Sequence, residues 1–159
     1  MENEGSVDML TGIRWMRVIV AAVLSEAGVI AVLLAAIAIY SSLIAPGMTD
    51  AEYQTIGGRV GYYVAPTAGA VTTFLMVLWV GRKLESRYVA NGVCVGVVSV
   101  ILTLGFVFTA RPEDRLMYSA ALVMRIVAGY LGGLVAQRNS VNRRLGSGVL
   151  LHEAGRRLP

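Results

Sequence analysis

Four long apolar runs, at about 18–44, 60–81, 89–110 and 117–137, are separated by short polar stretches. Crossing a hydrocarbon core of about 30 Å takes about 20 predominantly apolar residues in a helix. The last three runs match that length. The first is longer, so it tilts or projects beyond the membrane. Ser25, Glu26 and the pair Ser41-Ser42 interrupt the first run, and Arg125 interrupts the fourth. None alternates with the period of two expected of a barrel strand, and a water-free core admits only helices or closed barrels. The pattern therefore predicts an all-α, integral membrane four-helix bundle made of two antiparallel transmembrane hairpins.

The polar stretches divide the chain into an N-terminal segment 1–17, a transmembrane domain 18–137 and a basic tail 138–159. The opening Met1-Glu2-Asn3-Glu4 is acidic, and the apolar run after it exceeds the 7–15 residues of a signal-peptide h-region, so the first run reads as a retained span. Between the first two runs, Thr49-Asp50-Ala51-Glu52 has capping-box spacing. It predicts a short surface helix from Asp50 to about Ile56, ended by Gly57-Gly58. The tight turn at 82–88 predicts that the second and third helices are antiparallel neighbours. In the other short loop, Pro112, Glu113 and Asp114 suit the start of the fourth helix. Trp79-Val80-Gly81-Arg82 and Val135-Ala136-Gln137-Arg138 are too short a match to mark a repeat, because basic residues end spans on topological grounds alone.

Composition sharpens this picture. Of 159 residues, 56% are hydrophobic and 15% charged, with a mean hydropathy of +0.66. That excludes a disordered chain and argues against an ordinary soluble domain. Placing both termini on one side puts Arg14, Arg17, Arg82, Lys83, Arg87, Arg138, Arg143, Arg144, Arg156 and Arg157 there, against Arg59, Arg111 and Arg115 opposite. The positive-inside rule makes both termini cytoplasmic. The net charge of +4 is then mainly a topology signal, and no basic-aromatic module points to nucleic acid. Trp15, Trp79 and Tyr88 fall near the inner boundary, and Tyr40, Tyr62, Tyr63 and Tyr118 near the outer one, where amphipathic rings prefer to lie. The tail brackets Val149-Leu150-Leu151 with Arg143-Arg144 and Arg156-Arg157. It reads first as a solvated stop-transfer tail and second as a segment lying on anionic lipid.

Within lipid, small residues mark the faces on which helices meet. Gly61, Ala65 and Gly69 form such a stripe on the second helix, and Gly92 and Gly96 on the third. The fourth has Ala121, Gly129 and Gly133 in line with Arg125, with Ala128, Gly132 and Ala136 beside them; the first has Ala27, Ala31 and Ala35. Packing within one bundle and self-association both account for these stripes. Pro66 cannot donate to the carbonyl of Tyr62 and is expected to kink the second helix about one turn from its outer end. Thr67, Thr72, Thr73, Ser99 and Thr103 either line a polar path or, as is commoner, bond within and between helices.

Glu26 and Arg125 are the most informative residues. At 1.5 Å per residue, each lies about 12 Å inside its own run, near the middle of the membrane and offset by about 6 Å. Either charge alone costs about 2.5–3.5 kcal/mol on an insertion scale. One ion pair resolves both. Three readings stay open: a structural pin between the first and fourth helices; a functional charge for a proton, ion or anionic substrate; or a protonated Glu26 with Arg125 snorkelling outward.

Recognisable catalytic chemistry is missing. His152 stands alone in the tail, Cys94 lies in an apolar stretch, and Lys83, the single lysine, sits at the membrane boundary. These supply no nucleophile with its base, no paired histidines for a metal and no phosphate loop, so the sequence calls for no metal and no cofactor. Arg14-Trp15, the intramembrane Glu26, Trp79-Val80-Gly81-Arg82 with Glu85-Ser86-Arg87, and Gly132-Gly133 with Arg138 together resemble small four-span bacterial inner-membrane proteins of uncharacterised function. The resemblance implies an inner-membrane location and no particular activity. The leading reading is an accessory or structural membrane protein, with self-association left open. The alternative is an oligomeric channel or small transporter using Glu26 and Arg125. The third is an intramembrane enzyme with Glu26 as its acid or base.

Overall fold

A computed structural model describes residues 13–44, 46–47, 49–84, 86–109, 111–112 and 114–155, with residues 106 and 144–155 described as backbone alone. Among the described residues there are four α-helices and no strand. They are α1 (Trp15–Ile39), α2 (Asp50–Gly81), α3 (Tyr88–Thr109) and α4 (Arg115–Gly155). All four are long and apolar enough to cross a membrane. Glu2, Glu4, Glu85, Glu113 and Arg156-Arg157, expected in loops and terminal segments, lie outside the described residues.

α1 continues into a π-helical turn, Tyr40–Ile44. Its cause is local: the hydroxyls of Ser41 and Ser42 both donate to the carbonyl of Ala38, at 3.0 and 2.5 Å. They compete there with the backbone amide that an α-helix would use. At the start of α2, the Glu52 carboxylate accepts from the Thr49 amide at 2.8 Å and from its hydroxyl at 2.9 Å.

α2 does not stop at Gly57-Gly58. The expected surface helix and the second span are one helix of 32 residues. Gly57 lies on α1, where an added Cβ would come 3.7 Å from Ile37. Pro66 is consequently buried about four turns inside α2, not one turn from its end. α4 likewise runs on past 137 to Gly155, so the described part of the tail is a continuation of that helix. At its start, Asp114 offers its carbonyl to the Tyr118 amide at 3.1 Å.

The expected hairpins are present, α1 against α2 and α3 against α4. α2 and α3, expected as close neighbours across their short loop, touch only lightly. α4 instead packs on both α3 and α2, and α1 packs on the same two helices. The bundle is therefore a square in which α1 and α4 face each other across a diagonal.

Missing side chains set the spacing of α3 and α4. A Cβ on Gly92 would collide with the Gly129 carbonyl oxygen, and one on Gly129 with that of Gly92. Gly96 lies on the backbone of Arg125 and Ile126, where a Cβ would come within 2.9 Å, and Gly133 lies on that of Tyr88 and Val89. On α2, of the Gly61, Ala65 and Gly69 stripe, Gly69 is tightly enclosed, while a Cβ on Gly61 would meet nothing and Ala65 is half-buried. Ala121 is buried. The Ala27, Ala31 and Ala35 stripe faces outward, whereas Val18, Ala21, Ala22, Ser25 and Val29 turn inward. Tyr62 lies edge-on to Tyr63 and Tyr118. Tyr88 is packed inward and donates its hydroxyl to the Leu84 carbonyl at 2.7 Å.

Candidate functional site

The diagonal is crossed by Arg125, whose Nη1 donates to Glu26 Oε1 in an ion pair. Each helix contributes to this junction. α4 supplies the guanidinium and α1 the carboxylate. α3 adds Thr103, whose Oγ1 lies 3.4 Å from Arg125 Nη1 and itself donates to the Ser99 carbonyl at 2.8 Å. α2 supplies space: a Cβ on Gly69 would stand 2.7 Å from Arg125 Nε and 2.8 Å from Nη2. Arg125 does not snorkel, since its side chain is 7% exposed, against 20% for Glu26.

Depth agrees with pairing better than the sequence runs suggest. Counted from the observed helix starts, Trp15 and Arg115, the two residues lie about 16 and 15 Å along oppositely directed helices. The two residues therefore lie at nearly the same distance from their own helix starts.

A hydroxyl chain adjoins the pair. Ser25, next to Glu26, is fully buried and donates to Thr72 Oγ1 at 3.1 Å, while its oxygen lies 3.0 Å from that of the equally buried Thr73. Thr72 donates onward to the Ala68 carbonyl at 2.8 Å. Thr67 and Thr103 also bond carbonyls of their own helices. The buried Ser99 hydroxyl has no partner.

Towards the end where α1 begins, Val18, Ala21, Val77, Val80, Leu84, Tyr88, Val95 and Ala136 form one apolar cluster. Beyond the ion pair, α1 has no buried residue after Val29 and α3 none among its described side chains after Ser99. The pair thus closes the tightly packed half of the bundle.

The chain matches no known family model, curated protein or solved structure. Among the described residues no group of three His, Cys, Asp or Glu side chains is placed to hold a metal ion.

One buried polar residue lies outside the site residues expected from the sequence. Asn91 is 1% exposed; its Oδ1 accepts from the Arg14 amide at 3.2 Å and its Nδ2 donates to the Arg87 carbonyl at 3.0 Å. It caps the start of α1 from α3, since Arg14 makes no side-chain cap of its own. Nearby, Arg17 Nη1 donates to the Lys83 carbonyl at 2.6 Å. An asparagine near a helix start reads as boundary chemistry, and nothing in the local sequence points to a partner 77 positions away.

Proposed function

We propose that this chain is a small multi-pass protein of the inner (plasma) membrane, a non-catalytic accessory or structural component with both termini in the cytoplasm. Each of α1 to α4 crosses the bilayer once, and Glu26 and Arg125 pin α1 to α4 in one register. The observation that carries this reading is the ion pair across the diagonal at mid-depth in four apolar helices, with Gly69 leaving room for the guanidinium. A lone charge there is costly, and a paired one admits few registers. The orientation rests on charge: Arg14, Arg17, Arg82, Lys83, Arg87, Arg138 and Arg143 fall at one end and Arg59, Arg111 and Arg115 at the other.

A second reading, a channel or small transporter built from several copies, is favoured by one observation. Glu26 keeps 20% exposure where the tight packing ends, open to a neighbouring copy or a permeant. Glu26→Gln separates the two. In proteoliposomes the pin predicts lowered stability with no ion flux in either the unaltered protein or the variant. Flux that the variant loses while still folded supports transport and overturns the pin. A C-terminal reporter active only outside the cytoplasm overturns the orientation.

A further inference from the structure

Where α2 ends and α4 leaves the bundle, the two helices enclose an open cleft of about 470 Å³. Arg82, just after α2, and Asn139 and Arg143 from α4 line its polar side, and Leu78 and Ala136 its apolar floor. None of its described lining residues is acidic. Two arginines, one at the end of α2 and one on α4, therefore line one opening beside an amide. Planar guanidinium donors match phosphate oxygens in pairs. Arg143 is steadied along its helix by an Nε bond to the Asn139 carbonyl at 3.3 Å.

We propose that this cleft seats the phosphodiester headgroup of an anionic phospholipid. The occupant is a lipid because the floor is apolar and continues up α2 through Leu75, half-exposed one turn before Leu78–Trp79, giving an acyl chain a track beside the headgroup. The cations stand where α2 ends and α4 runs on past the bundle. The site rests on the membrane reading above and deepens it, assigning the tail's lipid contact to a bounded place between α2 and α4. An arginine close to an anionic membrane surface is worth about five-fold in partitioning.

Trp79 is the natural reporter, being half-exposed next to Leu78. In the full chain carrying Trp15→Phe, reconstituted at low salt, quenching of Trp79 is compared for brominated phosphatidylglycerol and brominated phosphatidylcholine. Selective quenching by phosphatidylglycerol is expected. Arg82→Gln and Arg143→Gln should each reduce that selectivity about five-fold. Arg138→Gln, at the same end but outside this cleft, should reduce it far less. An equal loss in all three variants overturns the site in favour of diffuse surface charge. Equal quenching by the two lipids overturns lipid selectivity altogether. Displacement by millimolar inorganic phosphate overturns the lipid as occupant in favour of free phosphate. Quenching by neither lipid means that Trp79 does not face a bilayer, and the membrane reading falls together with the site.

Discussion

Removing the Glu26 carboxylate should expose how strongly the diagonal is held. In Glu26→Leu the Arg125 guanidinium keeps its place against Gly69, more than nine-tenths buried, with Thr103 Oγ1 at 3.4 Å as its remaining bonded neighbour. Deleting one member of a buried pair costs about 3–5 kcal/mol, because the other charge stays desolvated. A lone arginine at the centre of a membrane helix costs about 2.5–3.5 kcal/mol on an insertion scale, which agrees in size. Arg125→Met leaves a carboxylate that is one-fifth exposed, so its cost should fall lower, at about 2–4 kcal/mol. The double variant removes both charges while keeping similar volumes, and should lie within about 2 kcal/mol of the unaltered protein. The four proteins form a double-mutant cycle with an expected coupling of at least about 3 kcal/mol. Reversible unfolding in mixed micelles, followed by circular dichroism, measures it. A double variant that loses the sum of the two single losses would show that the charges act independently, and the pin would be refuted.

Two further outcomes follow from packing. Gly92→Ala drives a Cβ into the Gly129 backbone, which can yield only by separating α3 from α4; a loss of about 1–3 kcal/mol is expected, whereas Gly61→Ala meets open space and should gain up to about 1 kcal/mol. Thermal unfolding in detergent compares the pair, and equal effects would contradict the close approach. Asn91→Leu removes the bond that the Arg14 amide donates to Asn91 and should cost about 1–3 kcal/mol. Hydrogen exchange should then quicken at residues 14–18, and unchanged protection there would remove Asn91 as the cap of α1.

The helices were legible because lipid solvation imposes a length and a composition that few other structures share. The ion pair was legible for a related reason: two isolated charges in apolar runs are costly, and pairing them removes both costs. Neighbour relations were much less legible. The short loop at 82–87 brings the ends of α2 and α3 together, but the glycines of α3 and α4 draw those two helices backbone to backbone, and Val77 of α2 packs on Gly92 and Gly132. α2 and α3 then sit across a diagonal. Small residues mark contact faces only when the opposite face offers a worse fit. On α1 the ridge of Val18, Ala21, Ala22, Ser25 and Val29 won over Ala27, Ala31 and Ala35 because Ser25 finds Thr72 and Thr73. Gly57-Gly58 looked like a stop because glycine exposed to water weakens a helix; Gly57 instead lies against α1, with Ile37 as its neighbour.

The pairing of Glu26 with Arg125 is tested most directly by a solid-state NMR distance. Protein labelled at the Glu26 carboxyl carbon and the Arg125 guanidinium nitrogens, and reconstituted in lipid, should show strong carbon–nitrogen dipolar dephasing, corresponding to a separation of about 4 Å or less. No dephasing between these two groups in a folded, bilayer-embedded protein would contradict the account.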